Sequence, residues 1–454
     1  MCRLVQSLTA LIAVIAATTV FGDTVIPGGT VSGTWTAAGS PYLIHGDITI
    51  QAGSLLTIGP GVDVNFQGHY ILTVYGELQA VGTETDSICF FAADTLIGWK
   101  GISFYTSGNG RIEFAAVQYA RSNEWGISTI FIGSEGHVDI AHCTISNNNS
   151  HNGGGIWMEP SMGANFTISH CTISGNKAGN QGGGIYGGGA GSIEYCVISE
   201  NDCYGGPPTS GGGACINSPV DTVLFDHCTF SRNEGWIGEG IYLESGSYMN
   251  LQNCIFEGHP GLAIGCDGDF TVTYSDFHNN MADLSPPPTG FGDLVQVNAN
   301  GDSCDIYGNI FLDPLFCDVL NGDLQIAENS PCLGAGEGGS DIGALGIGCT
   351  TVDVLEQPQP LPDEFSLSQN YPNPFNPETV IEFYLPRRSA VIVSVHNLLG
   401  EKVAELTDGV YPVGPHTIIW DGTTSGGEPA STGVYFYRIE AEGYTETRKM
   451  LLLK

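Results

Sequence analysis

Five segments of this chain superimpose on one another: HCTISNN from position 142, HCTISGN from 170, YCVISEN from 195, HCTFSRN from 227 and NCIFEGH from 253. Their cysteines, Cys143, Cys171, Cys196, Cys228 and Cys254, lie 28, 25, 32 and 26 residues apart. A large apolar residue stands three places before each (Ile140, Ile168, Ile193, Phe225, Leu251) and another two places after (Ile145, Ile173, Ile198, Phe230, Phe256). Five places after the cysteine come Asn148, Asn176, Asn201, Asn233 and then His259. The frame extends upstream through Ile112, Ala115 and Val117, and downstream through Val272, Ser275, Phe277 and Asn280. A second signature recurs between these units: WGI ending at Ile127, then GGGIW, GGGIY, GGGAC and GEGIY, with Ile156, Ile185, Ala214 and Ile241 as its apolar positions. Each period therefore holds three short strands with glycine or asparagine at the corners. Strands that short cannot bury a face alone, but stacked coils can. Like residues then superpose every ~4.8 Å, the inter-strand spacing. The pattern predicts an all-β parallel β-helix with three strands per coil. The fixed leucine consensus of the rival leucine-rich repeat is absent.

Two consequences follow for side chains. The asparagines read as a turn ladder, because asparagine tolerates left-handed backbone and its amide can bond to the next coil. The repeat cysteines alternate with outward His142, Thr144, His170 and Thr172, so they are expected inside as small hydrophobes. Stacked parallel side chains are poorly disposed to form disulfides. The cysteines off the ladder, Cys203, Cys215, Cys304, Cys317, Cys332 and Cys349, are disulfide candidates instead.

The N-terminus carries Arg3, an apolar run over 8–20 and small residues ahead of Asp23, the pattern of a secretory signal peptide over 1–22. No other run approaches about eighteen apolar residues, so no transmembrane segment is expected in the mature chain. Residues 23–350 hold only five cations, Lys100, Arg111, Arg121, Lys177 and Arg232, against 34 Asp and Glu. A body that acidic cannot neutralise phosphates, which excludes nucleic acid as a partner.

The stretches SPYLIHGDITIQAGSLLTIGPGVDVNF (40–66), ILTVYGELQAVGT (71–83) and GWKGISF (98–104) resemble the opening coils of bacterial right-handed β-helix proteins of the pectate-lyase-like superfamily. Residues 313–346 resemble the segment that closes such helices. The resemblance covers 23–350 and implies a right-handed coil. It implies no single activity, since the fold hosts lyases, hydrolases, epimerases and adhesins.

After a Pro- and acid-rich linker over 351–364, period-two runs broken by Gly, Pro and Asp predict a small antiparallel Ig-like β-sandwich over 365–454. Its string Tyr371-Pro372-Asn373-Pro374-Phe375-Asn376-Pro377, with GVYFYRIEAEG and a lysine-ended apolar run, resembles the C-terminal sorting domain of the type IX secretion system. That resemblance implies the type IX machinery as partner and a secreted, extracellular or outer-membrane-surface location.

For chemistry, the sequence lacks a GxSxG elbow, HExxH, a CxxC pair and a phosphate loop. A polyuronate lyase needs a basic residue among cation-holding carboxylates, and the few cations form no cluster. A glycosidase needs two carboxyl groups roughly 5–10 Å apart. Glu159 and Glu244 occupy equivalent positions, but three coils, about 14 Å, separate them. Asp221 with Asp226 and Glu200 with Asp202 are alternatives that nothing singles out. His142, His170 and His227 share an outward ladder that could hold a transition metal. Asp267, Asp269, Asp302 and Asp305 have the oxygen ligands calcium takes, in sequences that also read as ordinary turns. Trp157, Tyr186 and Tyr242, interrupted by Cys215, form an outward aromatic row beside the 203–210 insertion, a platform on which a neutral polysaccharide could stack. The expected function is non-catalytic glycan or surface binding, with a polysaccharide-degrading lyase or glycoside hydrolase as the alternative.

Overall fold

The computed structural model describes residues 23–453 except 123–126, 135, 160, 162, 206–209, 351–364, 386–388, 412–413 and 442–443. The expected signal peptide and linker lie outside the described residues. The rest forms two units, a solenoid and a C-terminal sandwich.

The solenoid winds three long parallel sheets of eleven, eleven and ten strands, and four central coils add a fourth short strand after the first sheet (Arg121–Ser122, Asn149–Asn152, Lys177–Gln181, Asp202–Cys203); every neighbour in a sheet comes from an adjacent coil. We call the long sheets A, B and C, in the order the chain meets them. Sheet A contains Thr144–Ser146, Thr172–Ser174, Val197–Ser199, Thr229–Ser231 and Ile255–Glu257. Sheet B contains Ile156–Met158, Ile185–Gly187, Ala214–Ile216 and Ile241–Leu243, which are the GGGI signatures. Sheet C contains His137–Ala141, Asn165–Ser169, Ala190–Glu194, Thr222–Asp226 and Tyr248–Gln252. The apolar frame of the repeat becomes the interior: Ile145, Ile173, Ile198, Phe230, Phe256 and Phe277 superpose in sheet A. The three phenylalanines stack almost flat, at 4.9 and 5.0 Å between ring centroids. Each such side chain contributes about 1.5–3 kcal/mol by leaving water, and only the coils above and below can supply the cover. Among the described residues no helix is long and apolar enough to cross a membrane.

The corners differ from expectation in one respect. The asparagines of the ladder are not the left-handed residues. That backbone belongs to the residue before each: Asn147, Gly175, Glu200 and Arg232 have φ of 60, 62, 55 and 48°. The left-handed step swings the next side chain inward, and Asn148, Asn176, Asn201 and Asn233 are buried. Their amides must then be satisfied within the protein. Nδ2 of Asn148, Asn176 and Asn201 donates to Oδ1 of the next asparagine at 2.9, 3.0 and 3.0 Å, and also to a carbonyl of the preceding coil. The inter-coil amide bonds expected from sequence are therefore present, and the left-handed backbone lies one residue before each asparagine.

The repeat cysteines are buried thiols, as expected, each directed at carbonyl oxygens of its own coil and the preceding one. Of the six off-ladder candidates, the structure joins Cys317 to Cys349 within the segment that closes the last coils. Cys215 and Cys332 are buried thiols, the latter 3.4 Å from the buried Asp276 carboxylate. Cys203 and Cys304 are buried as well.

The C-terminal unit is an antiparallel sandwich of three strands (Ser366–Leu367, Thr379–Leu385, Gly414–Trp420) and four (Lys402–Tyr411, Ser389–His396, Gly433–Ala441, Tyr444–Leu452). Alternate residues, among them Ile381, Phe383, Val393, Val395, Tyr437 and Ile439, fill its core.

His259 completes the asparagine ladder in a way that generates a test. Its Nε2 lies 3.4 Å from Asn233 Nδ2, and its Nδ1 lies 2.8 Å from Asn280 Oδ1. A neutral ring protonated on Nδ1 accepts from the first and donates to the second, continuing the direction of the amides. Burial lowers its pKa to about 4. The unfolded chain takes up this proton near pH 6.5 and the folded chain only near 4, so stability falls as pH drops through that window. The loss from this residue should reach about 3 kcal/mol at pH 4. His259→Asn should remove that part of the acid sensitivity, measured as the difference between urea denaturation series of the two proteins at pH 7 and pH 4.

Candidate functional site

The outward positions of sheet B run in register through Phe131, Trp157, Tyr186, Cys215, Tyr242 and Gly265. The three aromatic residues singled out from sequence thus share one row. They do not form one open platform. Trp157 is 3% exposed and Phe131 2%. Their rings meet edge to face at 5.2 Å with an interplanar angle of 88°, and Trp157 meets Tyr186 at 58°. Large rings on successive coils fill the space above each other's strands, so pointing outward does not guarantee contact with water. Trp157 packs as core.

Beyond Tyr186 the row changes character, because Cys215 is too small to fill its place. Glu244, two residues beyond Tyr242, folds back over the gap. Its Oε1 accepts from Gln181 Nε2 at 2.7 Å and from the Cys215 thiol at 3.5 Å, and its Oε2 accepts from Asn217 Nδ2 at 2.8 Å. Tyr186, Tyr242, Glu244, Gln181 and Asn217 are all partly exposed. Burial first, and then the negative charge of Glu244, push the Tyr186 phenol up. On the far side, a Cβ on Gly265 would lie 3.1 Å from the Tyr242 ring, so the glycine leaves that ring room to cross its strand. The Tyr242 hydroxyl reaches Asp267 Oδ2 at 2.5 Å in the next coil. The same glycine abuts Ile237, which with Trp236 is exposed (43% and 58%). Trp236 and Ile237 fall in a loop outside the repeat frame, so the period does not single them out. The available signal was that the last GGGI-type signature is spelled GEGIY and is preceded by Trp-Ile.

The side chains at the other expected sites are engaged within the protein. Asp267 is engaged by Tyr242, Asp302 accepts from Asn298, and Asp305 accepts from the Gly292 amide. Among the described residues no group of three or more His, Cys, Asp or Glu gathers to hold a metal ion, Asp269 included. Phe114, His142, His170, Tyr195 and His227 form a stack of nearly parallel rings at 4.6–5.0 Å. Parallel imidazoles aim their in-plane lone pairs side by side rather than at a common point, so stacked histidines cannot converge on one tetrahedral ion. Glu200 pairs with Arg232 and Asp202 with Lys177, while Asp226 contacts His227 and Asn253. Glu159 binds the Ser161 hydroxyl, three register steps from Glu244. Glu239 is set apart by a pKa raised to about 7, mainly by burial.

In the sandwich, Phe375 of the Tyr371–Pro377 motif is buried, while Tyr371 stands 80% exposed. Phe375 exchanges backbone bonds with Leu451 and Leu453, and Asn373 Oδ1 accepts from the Leu451 amide. The motif is laced onto the final strand.

Comparison with known families finds a right-handed β-helix region over residues 154–314. The solenoid is a right-handed β-helix. A FlgD Ig-like domain matches residues 374–445 of the sandwich. Among solved structures, dimeric latent PorU from Porphyromonas gingivalis is similar over 20% of this chain and 9% of that one, at 22% identity. Its TM-score of 0.18 is too low to carry an argument. No curated protein matches.

If Trp157 is core, Trp157→Ala should destabilise the β-helix by about 3–5 kcal/mol, as large aromatic truncations in cores do. Chemical denaturation followed by far-UV dichroism reads this directly; a change below about 0.5 kcal/mol, typical of surface substitutions, would return the ring to the surface.

Proposed function

We propose that this right-handed β-helix protein is exported, displayed on or released from the cell surface, and binds glycan without chemically altering it. The observation that carries the binding reading is the convergence of the Gln181 and Asn217 amides and the Glu244 carboxylate between two partly exposed tyrosines on a rigid sheet. Apolar ring faces with a few fixed polar groups are what a sugar needs, since each pyranose offers an apolar face rimmed by hydroxyls. We take the mature chain to begin at Asp23, the β-helix to run to 350, the linker over 351–364 and the sandwich over 365–454. We take that sandwich as the address read by the type IX secretion machinery. The Tyr371–Pro377 string and the closing apolar strand support this. The Cys317–Cys349 disulfide suits the oxidising compartment such a route passes through.

A second reading, a polysaccharide-degrading enzyme, is favoured by one observation. Glu239 titrates near neutrality, where a general acid works best. Against it, Glu239 and Glu244 flank opposite ends of the strand Ile241–Leu243. Glu239 accepts from the Gly261 amide and Glu244 from Gln181 and Asn217, so the two carboxylates are held by separate partners.

Incubation of the full chain with a panel of polysaccharides, with and without calcium, separates the two. Retention of at least one polymer with no new reducing or unsaturated ends is expected, and sustained turnover of any polymer would overturn the non-catalytic reading. For export, truncation after Asp363 should leave a folded β-helix in the periplasm of the producing cell. Appearance of the truncated form outside the cell at full-length efficiency would remove the sorting role from the sandwich.

A further inference from the structure

The gap at Cys215 has a charge that the protein leaves unanswered. Among the described residues the side-chain partners of Glu244 are two amides and a thiol, all neutral. Four of the five cations of the β-helix are committed elsewhere: Arg111 to Glu113 and Asp139, Arg121 to the Thr95 carbonyl, Lys177 to Asp202 and Arg232 to Glu200. Asp267, held against the Tyr242 hydroxyl, adds a second carboxylate beside the same ring. Tyr186 and Tyr242 lie two register steps apart, with Cys215 between them. Two inter-strand spacings are about 9.6 Å, and the Glu244 carboxylate sits between the two tyrosines, over Cys215. Ile237, exposed and set against Gly265, extends the apolar surface on the Tyr242 side.

We infer that this gap binds a cationic sugar, the protonated amine of a hexosamine unit, with its ammonium directed at Glu244 and its ring against Tyr242. The inference rests on the glycan-binding reading above and names the class of sugar. An ammonium group is drawn both to a carboxylate and to the electron-rich face of an aromatic ring. The Gln181 and Asn217 side chains bring amide groups that sugar hydroxyls can meet, whereas a lysine side chain offers no hydroxyls. The acidic body concentrates a cationic polymer near its surface, where a neutral chain gains nothing and a uronic acid chain is repelled.

The test is calorimetric titration of the full chain at pH 6 with glucosamine oligomers, their N-acetylated counterparts of equal length, and hexalysine. The glucosamine oligomer should bind at least tenfold more tightly than the acetylated one, and more weakly as salt is raised. Glu244→Gln should lower affinity for the glucosamine oligomer at least tenfold, and for the acetylated oligomer by a clearly smaller factor. Glu84→Gln, which removes one exposed charge elsewhere, should change neither. If thermal denaturation shows that Glu244→Gln is not folded, Tyr242→Ala replaces it and should weaken the glucosamine oligomer at least tenfold. Equal affinity for the two oligomers overturns the inference but leaves glycan binding standing. Tighter binding of hexalysine than of the glucosamine oligomer overturns it in favour of a basic peptide. Equal losses in Glu244→Gln and Glu84→Gln reduce it to general attraction by the acidic body. Failure of every oligomer on this site, with a neutral polysaccharide still retained, places the glycan elsewhere.

Discussion

Each coil of the β-helix points its backbone N–H and C=O groups along the axis, and only another coil can take them up. Three-residue strands such as Thr172–Ser174 have no other source of hydrogen bonds and no second layer to bury their inner face. Coil-to-coil pairing therefore satisfies the backbone and superposes the apolar side chains in the same step. Once the register is set, every residue type repeated at the period becomes a ladder. The isoleucines and phenylalanines inside, the cysteines near the C-to-A corner and the asparagines at the next corner all follow from that single constraint.

The corners show what the constraint costs. Phe114, His142, His170, Tyr195 and His227 take φ between 49 and 53°, a conformation disfavoured for residues with bulky side chains. The strain is on the order of 1–2 kcal/mol per residue. It is tolerated because the same turn stacks these rings on one another and sends the cysteine side chain inward. At the second corner the left-handed residue varies freely among asparagine, glycine, glutamate and arginine, while the residue after it is held to asparagine. The buried amide is the restricted position, since an unsatisfied donor there would cost about 1–3 kcal/mol. His259 fits the same place because one imidazole tautomer presents an acceptor and a donor in the order the ladder requires.

Against this regularity, the candidate site is a place where a ladder breaks. Cys215 interrupts the aromatic row of sheet B, and the freed space is taken by a carboxylate reaching back from the following coil. Gly265 breaks the row again and lets the Tyr242 ring cross to Asp267. Both interruptions involve small residues in a row otherwise filled by Phe131, Trp157, Tyr186 and Tyr242. A row of uninterrupted rings closes on itself, as Trp157 does, and offers a ligand little surface. Smaller residues open room for polar groups among the rings.

The sequence by itself determined the coil, its inward positions, the burial of the repeat cysteines and the change to an antiparallel sandwich after residue 365. The coil rests on a period of 25–32 residues with alternating apolar positions, which leaves few ways to stack, and the sandwich on period-two alternation broken by turn residues. What it could not determine was decided between coils. Asn147 and Asn148 are adjacent and chemically identical, so only the backbone path shows which one turns and which one is buried. Of six off-ladder cysteines, the pairing of Cys317 with Cys349 depends on how the closing segment folds back on itself. Trp157 looked like Tyr242 because both occupy the same strand position, yet one is closed off by neighbouring rings and the other borders a glycine. Glu244 was compared with Glu159 by position, whereas its carboxylate works across coils, beside Gln181 and Cys215. Repeat spacing specifies where each Cβ points; which atoms the side chain then reaches is set by the size and polarity of the residues on the coils above and below.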